Sequence, residues 1–115
     1  MRGWEPTSGG CWGGRPIARR VADCAPRRRA VLTGTIVSAQ ISCWRRNPAF
    51  LCRFDDGTGT ITVVFGGPRP IPGIVKGARC TVEATAISNG HSLVLWNPFY
   101  RFELPDTEAA AEDRR

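Results

Sequence analysis

The run FDDGTGTITVVF, residues 54–65, decides how the rest of the chain reads. Ile61, Val63 and Phe65 alternate with Thr60, Thr62 and Val64, the two-residue period of a strand with one face buried. Just ahead of it, Asp56-Gly57-Thr58-Gly59 is a tight-turn signal, in which Gly57 and Gly59 both permit positive φ. On the other side of that turn, Ala49 to Asp55 alternates as well. Phe50, Cys52 and Phe54 share one face, and Leu51 and Arg53 the other. Two alternating runs flanking a short turn predict a β-hairpin.

Further strands lie on both sides. Ala30 to Ser42 (AVLTGTIVSAQIS) is β-branched and holds Gly34 inside, the mark of a bend or bulge. After the central hairpin comes a connector, GPRPIPGIVKGA (67–78). Pro68, Pro70 and Pro72 exclude a central strand there and disfavour a regular helix. Arg79 to Ile87 is the fourth strand, Ser88-Asn89-Gly90 a second hairpin turn, and Ser92 to Trp96 the fifth strand, continuing after Asn97-Pro98 through FYRFEL. Five short strands with one longer excursion predict an all-β fold closed into a small barrel, since closure hides strand edges. Leu32/Ile36, Phe50/Cys52/Phe54, Ile61/Val63/Phe65, Cys80/Val82/Ala84 and Leu93/Leu95 are expected to fill it.

A length of 115 residues allows one domain. We place it at 18–104, with the barrel core at about 30–102. Residues 1–17 are rich in Gly and Pro, lack periodicity, and are expected to be an unordered basic leader. Residues 18–29 suit a short helical turn before Pro26. Residues 105–115 read as a disordered, solvated acidic tail. Charge follows these divisions. Residues 1–29 carry seven arginines against Glu5 and Asp23, a net +5, within a chain of net charge +6 and pI near 9.7. A basic leader favours a polyanionic partner. The five cysteines include no Cys-x-x-Cys pair, and His91 is the one histidine, so neither a metal site nor a cofactor is expected. No apolar stretch marks a signal peptide or a membrane span, so a cytoplasmic protein with reduced thiols and no membrane partner is expected.

With these residues in place, LTGTI (32–36), FDDGTGTITVVF (54–65), KGARCTVEATA (76–86) and SLVLWNP (92–98) together resemble the OB-fold of the anticodon-binding and helicase-wedge type. RVADC and RRRAVLTGTI, IPGI (71–74) and NPFY (97–100) are similar to the small stand-alone OB-fold proteins of actinobacteria. The resemblance covers about residues 20–102. It implies a five-stranded Greek-key OB barrel that binds nucleic acid, single-stranded DNA before RNA, along the outer face of strands 2 and 3 between the loops joining strands 1–2 and 4–5.

On that implied surface, Trp44 beside Arg45 and Arg46 combines a stacking ring with phosphate-pairing charge, the chemistry single strands need. Trp44 has a second reading, as a cap on the open end of the barrel. Arg53, on the outward face of strand 2, is placed to meet phosphate or is an ordinary surface arginine. Thr62 completes the neighbouring face, Arg69 is held out between two prolines, and His91 sits in the 4–5 turn. Arg19, Arg20, Arg27, Arg28 and Arg29 add salt-sensitive affinity. Trp96, Phe99 and Tyr100 crowd the last strand as core or interface. No nucleophile–histidine pair or phosphate loop is present, and GGCWGG (9–14) lacks the lysine and preceding strand of a P-loop, so no enzyme is expected. The alternative is a protein-interaction adaptor docking a DNA-repair or other partner through the barrel surface, or a homo-oligomer whose function arises in the assembly.

Overall fold

Residues 4–7 and 9–103 are described in a computed structural model. The acidic tail expected at 105–115 lies outside them. The strands are β1 (Cys11–Trp12), β2 (Arg15–Pro16), β3 (Arg29–Trp44), β4 (Asn47–Asp55), β5 (Thr60–Gly66), β6 (Arg79–Asn89), β7 (Ser92–Trp96) and β8 (Phe99–Phe102), with one 3-10 turn at Val21–Asp23.

One long strand organises the sheet. The first half of β3 pairs with β6, from Arg29↔Thr85 to Thr35↔Arg79. Its second half pairs with β4, from Thr35↔Asp55 to Trp44↔Asn47. The hand-over falls at Gly34, where a Cβ would lie 2.3 Å from the Asp55 carbonyl oxygen. Only glycine allows the β4 backbone that close. The register slips just after, between Ile36 and Ser38, the bulge that lets one strand bend between two partners.

From there the sheet closes. β4 pairs antiparallel with β5, and β5 pairs parallel with β7 through Thr62↔Val94, Val63↔Leu95 and Val64↔Trp96. β7 pairs antiparallel with β6, which returns to β3. The result is an all-β, barrel-like ring, β3-β4-β5-β7-β6. The sheet holds six strands rather than the expected five. The run through Phe99–Phe102 is a separate strand, β8, pairing with β6 from Glu83↔Phe99 to Cys80↔Phe102. Asn97, at φ +50, and Pro98, which has no N–H to give a ladder, make the break. The Asn97 side chain accepts the Gly66 N–H at 3.2 Å.

Leu32, Ile36, Phe50, Cys52, Phe54, Ile61, Val63, Phe65, Cys80, Val82, Ala84 and Leu95 face the interior, and Ile74 from the proline-rich connector joins them. Leu93 is only partly buried at its edge. A second, smaller cluster lies on the outside of the ring, where Ala49, Val64 and Val94 are buried beneath Trp44, Leu51 and Ile87. The outer faces of β4, β5 and β7 are thus half covered by side chains from their own neighbours.

The leader departs from expectation. Residues 9–17 are not without structure: β1 and β2 form a hairpin around Gly13-Gly14, both at positive φ. Ile17 and Ala18 are buried, and Ala18 joins β3 by exchanging bonds with Arg29 and Val31. The cause is Glu83 on β6, only 1% exposed. A buried carboxylate needs compensation. It accepts the Thr7 backbone N–H at 2.9 Å, the Thr7 hydroxyl, and the Arg29 Nε at 2.9 Å. Burial pushes this carboxyl up, but the Thr7 hydrogen bonds and the Arg29 charge outweigh it and hold Glu83 below the usual carboxylate range. The Arg29 guanidinium lies over the Trp12 ring at 4.9 Å. Trp4 stacks on Phe99 at 5.8 Å, and Arg101 pairs with Glu5 at 2.9 Å. Composition predicts a free leader, but these contacts from a distant strand fasten it to the barrel.

Candidate functional site

A strand pair, a turn and a short helical segment meet at a cleft of about 280 Å³. Its base is the outer face of β4 and β5, where Arg53 stands opposite Thr62 and donates to the Thr62 hydroxyl at 3.3 Å. Thr60 extends that base, the edge of the inward-facing Ile61 borders it, and His91, Ser92 and Leu93 from the β6–β7 turn form one wall. Val21 and Cys24 form the other. Arg53, Thr62 and His91 therefore come together, although they belong to three different strands or turns.

The Val21–Cys24 wall is absent from the sequence reading. It is held by the DGTG turn itself. The Asp56 carboxylate accepts the Val21 N–H at 2.8 Å, and the Thr58 hydroxyl accepts the Ala22 N–H at 3.1 Å. Asp56 thus caps a helical turn that begins thirty-five residues earlier. Burial pushes the Asp56 carboxyl up, but hydrogen bonds from Thr58, Val21 and Gly59 outweigh it and hold it below its ordinary value. Gly57 has the expected positive φ, at +91. Gly59 does not; it is needed for space, since a Cβ there would lie 3.0 Å from the Val21 side chain. With its carboxylate committed to the turn and the cap, Asp56 has little left for chemistry. Cys24 is not poised as a nucleophile either: burial, then Asp56 and Asp23, push its thiol up to about 11. What the cleft offers is a cation, three hydroxyl-bearing side chains and an imidazole on a rigid base, which suits binding an anion with hydrogen-bonding groups.

The remaining candidates fall into three groups. Arg45 and Arg46 occupy the two central positions of the β3–β4 turn, both at positive φ, +51 and +71. Such a turn usually takes Asn-Gly, and non-glycine residues held there are strained. Trp44 is only partly exposed and is not an open platform. It stacks on Trp96 with centroids 4.9 Å apart and planes 16° apart, and Arg45 lies over its ring at 4.5 Å. Two groups that close do not share one face, so Trp44 is sandwiched. Its Nε1 is buried with no hydrogen-bond partner among the described residues. Arg45 also donates to the Ser88 carbonyl at 3.5 Å. Arg46, and Arg69 in the connector, are exposed.

The basic leader divides. Arg29 is committed to Glu83 and Arg20 to Asp23 at 2.9 Å, while Arg19 donates to the Thr7 and Gly9 carbonyls. Arg27 is exposed and Arg28 partly so. All five cysteines are free thiols. Among the described residues no cluster of His, Cys, Asp and Glu has the makings of a metal site, and no helix is long and apolar enough to cross a membrane. The chain matches no protein-family model and none of the curated proteins compared with it.

Proposed function

We propose that the ring is an OB-type barrel and that it binds single-stranded nucleic acid, DNA in preference to RNA. Five strands closing on themselves, with β7 inserted between β5 and β6, support the barrel assignment. The observation that carries the binding reading is the cleft, where Arg53, Thr62 and His91 converge, with Arg45 reaching from the β3–β4 turn to the Ser88 carbonyl ahead of the β6–β7 turn. The cleft lies on the second and third strands of the ring against the β6–β7 turn, part of the surface such barrels use for oligonucleotides. Arg53 supplies charge for a phosphate, and Thr62, Ser92 and His91 supply hydrogen bonds. Arg46 and Arg69, both past the Ala49↔Gly66 end of the β4–β5 pair, add exposed positive charge there.

Fluorescence anisotropy of labelled oligo-dT and oligo-U at two salt concentrations tests this. Affinity falls steeply with salt, by a log–log slope of roughly 0.7 per phosphate neutralised on a single strand. Arg53→Ala weakens binding and reduces the slope by about one phosphate. Absence of binding at low salt, or binding indifferent to salt, sinks the reading. A salt-indifferent result instead favours an adaptor. The observation behind that second reading is β8, whose Phe99 is 55% exposed beside the exposed rings of Tyr100 and Phe102.

A further inference from the structure

The outer face of β7 carries Ser92, Val94 and Trp96, while Leu93 and Leu95 turn inward. Trp96 therefore lies on the same surface as the cleft. Its register partner on β5 is Val64, and Thr62, one two-residue step back, pairs with Val94. That step is about 7 Å along a strand. The Trp96 backbone is thus one step from Thr62, while its indole reaches on along β5 to Gly66, at the end of the strand away from the cleft.

Trp96 is also the exposed end of a stack. Arg45 covers one face of Trp44, and Trp96 covers the other. Trp96 is 42% exposed, and with one face against Trp44 its open area lies on the opposite face and the edges. Gly66 on β5 lets the far edge of the ring lie down on the strand: a Cβ there would come within 3.2 Å of it. Packing on Trp44 fixes the plane of the Trp96 ring, so little side-chain freedom is lost when a second ring settles on it.

We propose that Trp96, not Trp44, is the stacking platform for a nucleobase, taking a base further along the strand whose phosphate meets Arg53. Trp44 is the positioning residue that holds the platform, and Arg45 completes the stack from behind. This inference rests on the nucleic-acid reading above and adds to it the base-contacting residue. Thr62 and Val64 supply no ring to the β5 face, so an aromatic contact there has to come from β7.

The test measures affinity for oligo-dT and for a backbone-matched abasic oligomer, with wild-type protein, Trp96→Leu and Trp96→Phe. The wild type prefers the base-bearing strand by about tenfold or more, the range of single-base stacking on an aromatic ring. Trp96→Leu loses that preference while its affinity for the abasic strand stays the same, and Trp96→Phe recovers most of it. Partial unfolding of the leucine variant would weaken both oligomers alike, so the ratio keeps the result readable. Retention of the full preference in Trp96→Leu overturns the platform and leaves the Arg53 groove standing. No binding of either oligomer by the wild type overturns both.

Discussion

Replacing Glu83 with glutamine separates the fastening of the leader from the barrel itself. Glu83 is fully enclosed and accepts from Thr7 twice and from Arg29 once. Glutamine keeps the shape and one acceptor oxygen but removes the charge that compensates Arg29. Breaking a buried ion pair costs roughly 3–5 kcal/mol. The Arg29 side chain remains 15% exposed, so water softens the loss and the lower bound, about 3 kcal/mol, is the better figure. For a domain of this size each kcal/mol moves the melting temperature by about 4–8 °C, so Glu83→Gln lowers Tm by roughly 12–24 °C. The assay is thermal unfolding by circular dichroism across a pH series. Glu83 has a lowered pKa in the folded protein, so its stabilisation is complete above the ordinary glutamate value of about 4.3. That stabilisation is lost as pH falls through the depressed folded value. The gap in Tm between wild type and Glu83→Gln is therefore widest near neutrality and closes in acid. Trypsin cleavage at Arg19 accelerates in the variant as the leader comes loose. A gap at neutral pH below about 4 °C, the shift expected from one kcal/mol, or a gap that persists unchanged in strong acid, refutes the reasoning.

Gly34→Ala places a methyl against the Asp55 backbone, and overpacking against backbone costs at least about 3 kcal/mol; loss of the cooperative urea transition is the readout. Asp56→Ala removes the cap on Val21 and costs about 1 kcal/mol, seen as a lower urea midpoint with the β-sheet spectrum intact. Because the Asp56 pKa is lowered by folding, the wild-type advantage over that variant is present above the usual aspartate range and fades as pH falls below it. Arg46→Gly relieves a residue held at φ +71 and raises stability by about 1 kcal/mol, while oligo-dT affinity measured by anisotropy falls. A variant that is no more stable than wild type shows that the turn is unstrained.

The β4–β5 hairpin is legible because two signals agree there, a two-residue period on both strands and an Asp-Gly turn between them. From that pairing alone Arg53 and Thr62 follow as neighbours, since both fall on the outward side. The other wall of the cleft is not legible. Val21 and Cys24 reach it only because Asp56 and Thr58 have hydrogen-bonding capacity left over for a distant N–H, and no local pattern records that. The leader is hidden for the same reason: Thr7 is ordered by an acceptor on Glu83, seventy-six residues away. Periodicity assigns Trp44 and Trp96 to faces but does not say that the two rings stack or which of them is the exposed end. β8 was visible as an apolar run but not as a strand of its own, because the kink depends on Asn97 adopting a left-handed backbone.

The parallel contact between β5 and β7 also sets an order of events. Until Val94 reaches Thr62, the hairpin of β4 and β5 has an edge with nothing to pair with, and β3 waits for β6 along its first half. Pairings of that separation form late and slowly in folding. On a ribosome, an apolar half-barrel is exposed from the emergence of β5 until that of β7, with the proline-rich connector passing in between. That interval is when the chain is most open to pairing with another copy of itself.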